Sequence, residues 1–233
     1  MLAMIEEIDI SLFYLINQTG RNAFFDVFMP FMSNEKNFYV LFVVVWLSFI
    51  LLGAGLPRRL ALKMERINTR APLRWLQEVS TASDRRKYWV VAIGIIGLIS
   101  LSEWFSSGFL KPLFDRPRPY HSISNVHLYN RMAKTWSVTP ELKEKIRGQS
   151  HSLPSSHATN IFAAAFFLSF FFRKCWPFFY LIALIVGYSR IYLGVHFPFD
   201  VLAGSLAGTL CGFTVAWIGN FLFKRFWHPE EFG

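Results

Sequence analysis

The chain has 233 residues, of which 53% are hydrophobic and 18% aromatic, and its formal net charge is +9. This composition is too apolar for an ordinary soluble domain and is typical of a membrane protein. Many of the cations lie beside apolar runs, where anionic lipid or a phosphate ligand accounts for them without nucleic acid. The sequence therefore predicts a single integral-membrane domain over residues 1–233, with membrane lipids as its surroundings.

The first 36 residues contain an apolar segment, 8–32, that is repeatedly interrupted. The interrupting residues are Asn17, Gln18, Gly20, Arg21 and Asp26. Such a segment is either a broken first span or a pair of helices that lie in the membrane interface. We favour the interfacial helices.

Five further segments are long enough, or nearly so, to cross a bilayer. They cover roughly residues 37–56, 88–110, 158–173, 176–191 and 199–223. The predicted fold is therefore all-α: a polytopic membrane helix bundle of five to six transmembrane helices plus N-terminal interfacial helices.

The connections between these segments differ in their basic residues. The link 57–87 is rich in Arg and Lys, and by the positive-inside rule it lies on the cytoplasmic face. The connections 111–157 and 189–199 then lie together on the outer face. Because a chain with so few spans is typical of bacteria, we expect the inner (plasma) membrane, with the active site at the periplasmic side.

Three short stretches in these outer connections carry the chemistry: "KPLFDRPRP", "LPSSHATN" and "SRIYLGVHFPFD". The topology brings their polar residues to one membrane face. These residues are Lys111, Arg118, Ser155, His157, Arg190, His196 and Asp200. Arg and Lys together can clamp a phosphate, and two helix N-termini would add backbone N–H groups.

The pair His196 and Asp200 is four residues apart, about one helical turn. The carboxylate can therefore hold the imidazole by a hydrogen bond, which follows the logic of a base and its orienting group, with histidine itself as the nucleophile. His157 is left to handle the proton.

These stretches resemble the three signature motifs of the type 2 phosphatidic acid phosphatase family. The family pattern is Lys, six residues, Arg-Pro; then Pro-Ser-Gly-His; then Ser-Arg, five residues, His, three residues, Asp. All spacings match over residues 88–223, and the one departure is Ser156, which stands where the family has glycine.

The resemblance implies metal-independent hydrolysis of a phosphate ester or anhydride, without a cofactor. By that resemblance, His196 attacks phosphorus to form a phosphohistidine, Asp200 orients it, and His157 protonates the leaving group and then activates water. The remaining residues would bind the phosphate oxygens: Lys111, Arg118, Arg190, Ser155 and the N–H of Ser156.

The predicted substrate is the phosphomonoester or diphosphate of an amphiphilic lipid. The candidates are undecaprenyl diphosphate, phosphatidylglycerol phosphate, phosphatidate and a lipid A phosphate. Two alternatives remain at this point: a vanadate-dependent haloperoxidase-like enzyme, and an inactive lipid-binding membrane protein. The sequence gives no oligomeric state.

Several polar residues near the motifs receive other interpretations. We predict that Glu103 is structural and pairs with a polar group between helices. Arg116 and Tyr120 could touch the leaving group, and Tyr192 could pack or line the pocket. The loop 120–153, with a helical pattern from Pro140 to Arg147, is expected to cap the site. The histidines interpreted as solvated interfacial residues are His121, His127, His151 and His228.

Overall fold

A computed structural model describes residues 2–56, 82–141 and 151–227. The longer helices are α1 (Leu2–Tyr14), α2 (Ala23–Ser33), α3 (Glu35–Gly53), α4 (Ala82–Glu103), α5 (Ser156–Phe171), α6 (Trp176–Tyr192) and α7 (Pro198–Trp227). The chain forms two compact units, one of residues 1–37 and 98–213 and one of residues 38–97 and 214–233. All the candidate site residues lie in the first unit.

The N-terminal segment is a broken pair of helices. After α1 the chain makes a π-helical turn, Leu15–Thr19, and then leaves helical geometry before α2. The side chain of Asn22 caps α2 by accepting a hydrogen bond from the backbone N–H of Phe25 at 2.9 Å. Neither α1 nor α2 reaches the ~20 residues that a spanning helix needs. The interfacial position of the two helices stays a prediction.

Asn17 connects this N-terminal segment to the rest of the first unit. Its buried amide donates to the carbonyl oxygens of His127 and Tyr192, at 2.8 and 2.9 Å, and accepts from the His127 N–H at 2.9 Å. The hydrogen bonds of the side chain are therefore used within the protein, as a buried amide requires. Asn17, one of the residues that interrupt the apolar segment 8–32, therefore links this segment to the backbone of His127 and Tyr192.

Three helical stretches are long and apolar enough to cross a membrane: Lys87–Phe114, Arg173–Tyr192 and Pro198–Arg225. The first and third predicted spans, 37–56 and 158–173, correspond to shorter apolar helices, Phe42–Gly53 and Ser156–Phe171. The protein is thus a helical, multi-pass membrane protein, and the count of five to six spans stays a prediction.

Helices α5 and α7 approach closely along a stripe of glycines on α7. A Cβ at Gly204 would lie 2.6 Å from the carbonyl oxygen of Ser155, and one at Gly212 would lie 2.6 Å from that of Ala163. Small residues at this spacing are typical of helix contacts in membranes. The leucines at 202, 206 and 210 are exposed on α7, where lipid chains can cover them.

The loop between the first and second motifs contains a β-hairpin, which the all-α prediction did not include. Strand β1 (His127–Asn130) pairs antiparallel with β2 (Thr135–Val138). The turn is stabilised by Asn130, whose side-chain oxygen accepts from the N–H groups of Met132 and Ala133 at 2.9 and 3.1 Å. The predicted helix from 140 to 147 falls almost entirely on residues 142–150, outside the described residues, as do 57–81 and His228.

The interpretation of His127 as a solvated residue is wrong. Its side chain is 3% exposed, and its ring stacks on that of Trp136, with the centroids 4.2 Å apart. The residue sits in β1 and its backbone pairs with Asn17, so packing rather than solvent surrounds it. Sequence gave no sign of this because the hairpin itself carries no Asn-Gly or Asp-Gly turn.

Candidate active site

The proposed nucleophile and its carboxylate are both buried at the start of α7. His196 is 2% exposed and Asp200 is fully buried. The His196 Nδ1 and Asp200 Oδ2 atoms are 3.7 Å apart, too far for a direct hydrogen bond. The hydroxyl of Ser152 lies between them: it donates to Asp200 Oδ2 at 2.5 Å and is 3.4 Å from His196 Nδ1. Sequence analysis did not select Ser152, because it belongs to no motif.

A tight turn holds His196 against the end of α6. Gly194 has φ 77°, a conformation that favours glycine, and a Cβ there would lie 2.7 Å from the His127 carbonyl oxygen. The N–H groups of Val195 and His196 then both donate to the Arg190 carbonyl oxygen, at 3.2 and 3.3 Å. The local backbone therefore fixes His196, the predicted nucleophile, relative to Arg190, a predicted phosphate-binding residue.

Three cations from two motifs surround this histidine. Arg190 is 4% exposed, and its Nη1 contacts the hydroxyl of Ser33. Lys111 is close enough to Arg118 and Arg190 for their charges to interact. The Nε atoms of Arg118 and Arg190 are buried and have no hydrogen-bond partner within the part of the chain that the structure describes. A buried donor without a protein partner can be satisfied by a bound anion or by water.

These surroundings determine the charge of His196. Burial lowers the pKa of its imidazole to about 3, against the opposing effect of Asp200, and the charges of Arg190 and Arg118 lower it further. The ring is therefore neutral near pH 7, which is the form with a lone pair for attack on phosphorus.

Lys111 and Arg118 are placed by the end of the long helix that begins with α4. The helix continues as a π-helix, Trp104–Leu110, and one further turn, Lys111–Phe114. It ends at Asp115, which adopts the left-handed conformation at φ 40°, and Pro117 cannot continue it. A π-helical segment beside a candidate ligand residue is a recurrent feature of functional sites.

His157, the predicted proton carrier, has two partners from distant parts of the chain. Its Nε2 lies 2.7 Å from Glu35 Oε1 and 3.3 Å from Arg131 Nη2. The hydrogen bond with His157, together with the nearby cations, lowers the pKa of Glu35 to about 2 in spite of partial burial. Neither partner was predicted, because Glu35 begins α3 and Arg131 lies in the hairpin turn.

Ser155 connects the second motif to the third. Its side chain accepts from the Ala158 N–H at 3.5 Å and so caps α5. Its own N–H donates to the carbonyl oxygen of Asp200 at 3.0 Å. The starts of α5 and α7 are therefore tied together by backbone as well as by the glycine contact.

The sequence comparison decides the family. Residues 88–224, more than half of the chain, match the model of the PAP2 superfamily. The chain belongs to the PAP2 superfamily. The three motifs of the first unit all fall inside the matched region.

Curated PAP2 relatives include two lipid A 4'-phosphatases. The chain is 33% identical over 144 residues to the one from Bacteroides thetaiotaomicron and 32% identical over 153 residues to the one from Porphyromonas gingivalis. These matches cover 59% and 60% of this chain but only 60% and 54% of those proteins. Phosphatidylglycerophosphatase B of Bacillus subtilis is 27% identical, over 74% of this chain and 92% of that protein.

Two solved structures share the PAP2 fold. Aquifex aeolicus LpxE superposes with a TM-score of 0.52 at 24% identity, over 89% of this chain and 94% of that one. A transmembrane PAP2-type phosphatidylglycerolphosphate phosphatase from Bacillus subtilis gives 0.54 at 19% identity, over 96% and 89%. At these identities the likeness concerns the fold.

The serine that replaces the PAP2 motif glycine has hydrogen-bond partners of its own. Ser156 Oγ lies 2.9 Å from Ser106 Oγ and 3.0 Å from Ser107 Oγ, both in the π-helix. Glu103 accepts from Ser107 at 2.6 Å and from Asn160 of α5 at 2.9 Å. Glu103 therefore has the interhelical polar partner that we predicted, and the extra hydroxyl belongs to the same polar cluster.

The flanking residues Arg116 and Tyr192 both have protein partners. Arg116 bridges two buried carboxylates, those of Asp9 and Asp200, at 2.6 and 2.7 Å. Tyr192 is fully buried and donates its hydroxyl hydrogen to Asp26 at 2.7 Å, so it packs between helices. Asp9 is a fourth residue that sequence did not predict, although an acid in an apolar helix usually has a specific partner.

Proposed function

We propose that this PAP2 protein is a lipid phosphate phosphatase that works through a phosphohistidine on His196. The observation that carries the proposal is the pair of buried, unpartnered guanidinium N–H groups of Arg118 and Arg190 beside a neutral histidine, described above. A phosphate bound there would satisfy both donors and place phosphorus next to the imidazole. Position and charge neutralisation supply most of the catalysis in phosphoryl transfer.

In the first step, His196 attacks phosphorus through Nε2, because its Nδ1 faces Ser152 and Asp200. The P–N bond forms as the bond from phosphorus to the lipid oxygen breaks. His157 donates a proton to that oxygen, and the cations neutralise the charge on the three equatorial oxygens. The anionic Asp200 stabilises the positive charge that develops on the imidazole ring.

In the second step, His157 accepts a proton from water as the water oxygen attacks phosphorus. The P–N bond breaks, inorganic phosphate leaves and His196 returns to its neutral form. The hydrogen bond that His157 donates to the Glu35 carboxylate favours the protonated ring, against burial and the charge of Arg190, which lower the pKa of His157 to about 4. Lys111, Arg118 and Arg190 keep the phosphoryl group in place throughout.

The substrate class is tested by assaying the purified protein in detergent against four lipids in excess EDTA. The lipids are undecaprenyl diphosphate, phosphatidylglycerol phosphate, phosphatidate and lipid A. We expect release of inorganic phosphate from at least one of them, undiminished by the chelator, and inhibition by vanadate, which imitates five-coordinate phosphorus. Loss of activity that Mg²⁺ restores would contradict the metal-independent mechanism. No phosphate from any lipid would favour the inactive lipid-binding alternative.

We also propose that the site faces the periplasm from a bacterial inner membrane. The proposal rests on the basic link 57–87, most of which lies outside the described residues, and on the positive-inside rule. In a background without Cys175 and Cys211, a cysteine at Ser137 of the hairpin should react with an impermeant maleimide in intact spheroplasts. A cysteine at Thr69 in the basic link should react only after the membrane is opened.

Two outcomes of the labelling experiment would contradict this topology. The reverse pattern would place the site in the cytoplasm and remove outer-leaflet lipids from the substrate list. Labelling at both positions in intact spheroplasts would mean that the helix Lys87–Phe114 does not cross the membrane. Ser137 suits the test because its side chain is exposed.

A further inference from the structure

A chain of three charged side chains runs from α1 to the nucleophile. Arg116 donates through Nη2 to Asp9 Oδ2 at 2.6 Å and through Nη1 to Asp200 Oδ1 at 2.7 Å. Asp9, like Asp200, is fully buried. Two short, charge-assisted bonds from one planar guanidinium fix the direction of both carboxylates.

The remaining contacts hold Arg116 and Asp9 rigidly. The Asp9 Oδ1 atom accepts from the backbone N–H of Phe199, in the first turn of α7, at 2.9 Å. The guanidinium carbon of Arg116 also lies 4.3 Å from the centre of the Phe197 ring, a cation–π contact. Both residues are thus attached to the same short segment that carries the nucleophile.

The three hydrogen bonds that the Asp200 carboxylate accepts divide between its two oxygens in a way that matters for His196. Oδ2 accepts from Ser152 and from the Phe197 N–H, and it is the oxygen that faces the imidazole. Oδ1 points away from the imidazole and bonds to Arg116. The arginine therefore sets the rotation of the carboxylate that decides which oxygen meets the histidine.

Charge balance explains why a second acid is needed. A lone Arg116 on Asp200 would cancel the negative charge that stabilises the imidazolium and the phosphohistidine. Asp9 offsets the arginine, so the three groups together keep one net negative charge. Without Asp9, the Arg116–Asp200 ion pair would be neutral and would lack this negative charge.

We propose that Asp9 and Arg116 are positioning residues for the phosphatase reaction: they fix the orientation of Asp200 and preserve its negative charge toward His196. This role rests on the proposed function, because it requires His196 to be the nucleophile. Asp9 lies outside the three motifs, and Arg116 occupies one of the six unspecified positions between Lys111 and Arg118 in the first.

A cavity gives experimental access to this arginine. A volume of about 480 Å³ lies beside it, lined on its polar side by Asp9, Asp115 and Arg116 and on its apolar side by Ile10, Ile123 and Phe197. A guanidinium ion can therefore reach the space that the Arg116→Ala side chain would leave. Rescue by the free ion separates a positioning role from a role in folding alone.

The experiment measures the rate of phosphoprotein formation in a single turnover, quenched in alkaline SDS. For Arg116→Ala we expect a rate about 100-fold below the parent, since misplacing a catalytic group by about 1 Å costs roughly that much. KM should stay within about twofold, and millimolar guanidinium should recover about tenfold of the rate. Arg173→Ala, exposed beyond the other end of α5, is the matched control and should neither lose activity nor respond to guanidinium.

Asp9→Asn provides the second, independent arm. The amide keeps the size of the side chain but removes its charge, so kcat should fall about tenfold or more without a change in KM, and guanidinium should not restore it. Glu7→Gln, two residues earlier on α1 and exposed, is its control.

Three results would overturn the positioning role. The first is a rate per folded molecule that equals the parent's in both variants. The second is a lower melting temperature with no change in rate. The third is a lowered rate of Arg116→Ala that guanidinium does not raise. A parent enzyme that traps no phosphoprotein would contradict the proposed function instead. If the parent and Arg116→Ala form phosphoprotein at the same rate, that result would contradict the positioning role alone.

Discussion

His196→Ala is expected to abolish phosphate release while the protein still folds and inserts. Removing a covalent nucleophile typically lowers kcat on the order of 10⁴-fold or more, because no neighbouring group can form the intermediate. His196 is the histidine whose ring lies beside Asp200 and near the two arginines with unpartnered Nε atoms, Arg118 and Arg190. The loss should appear in kcat, since the cations that bind the phosphate stay in place.

The covalent intermediate gives this prediction a direct readout. With a radiolabelled lipid, an alkaline SDS quench of the parent should trap label on the protein, and the label should be lost on acidification, as a P–N bond requires. His196→Ala should carry none. His228→Ala, which follows the far end of α7 in the sequence, is the control and should label like the parent. Substantial activity or acid-stable label in His196→Ala would disprove the mechanism.

A second large effect is expected from Gly208 on α7. A Cβ at this position would lie 2.9 Å from the Thr159 carbonyl carbon and 3.0 Å from the Ala163 nitrogen, and it would collide with the Thr159 carbonyl oxygen. All three are backbone atoms of α5, so no side chain can move aside to make room. The helices must separate instead, and overpacking of this kind typically costs about 1–3 kcal/mol.

Separation of α5 from α7 would also disassemble the site. Ser155 and His157 start α5, whereas His196 and Asp200 lie at the start of α7. A shift of about 1 Å between the two helix ends is enough to lower kcat on the order of 100-fold. We therefore expect Gly208→Ala to lose both thermal stability and turnover, and Gly208→Val to lose more of each.

The matched control for this substitution is Gly97→Ala in α4. Within the part of the chain that the structure describes, a Cβ there meets no atom of another segment within 4 Å, so the exchange adds a methyl group to open space. Alanine also favours a helix interior over glycine, by roughly 0.5–1 kcal/mol. Stability should be equal or higher and activity unchanged. Equal behaviour of Gly208→Ala and Gly97→Ala in thermal unfolding and in turnover would show that the glycine contact does not hold the site together.

The proximity of the predicted site residues could be inferred from the sequence because each motif is short and local. His196 and Asp200 share one turn, and Ser155 caps the helix that it begins, so spacing alone indicated their neighbourhood. Membrane topology then restricted the three motifs to one face. The helical class followed in the same way from long apolar runs.

The supporting residues could not be predicted, because their contacts join distant segments. Asp9, Glu35 and Ser152 each meet a motif residue only after the helices have packed. A single sequence contains no signal that pairs residues so far apart along the chain. The one indication was Asp9, an acid in an apolar helix. The same holds for His127, whose burial depends on a hairpin and on Asn17 from the opposite end of the first unit.

The bond between Asp9 and Phe199 has a consequence for biosynthesis. It joins positions that are 190 residues apart in the sequence. Arg116 likewise can bridge Asp9 and Asp200 only after α7 has been synthesised. During synthesis, Asp9 therefore leaves the ribosome long before Arg116 and Phe199 do. The complete set of bonds among Asp9, Arg116, Asp200 and Phe199 therefore forms only after the final helix has been synthesised.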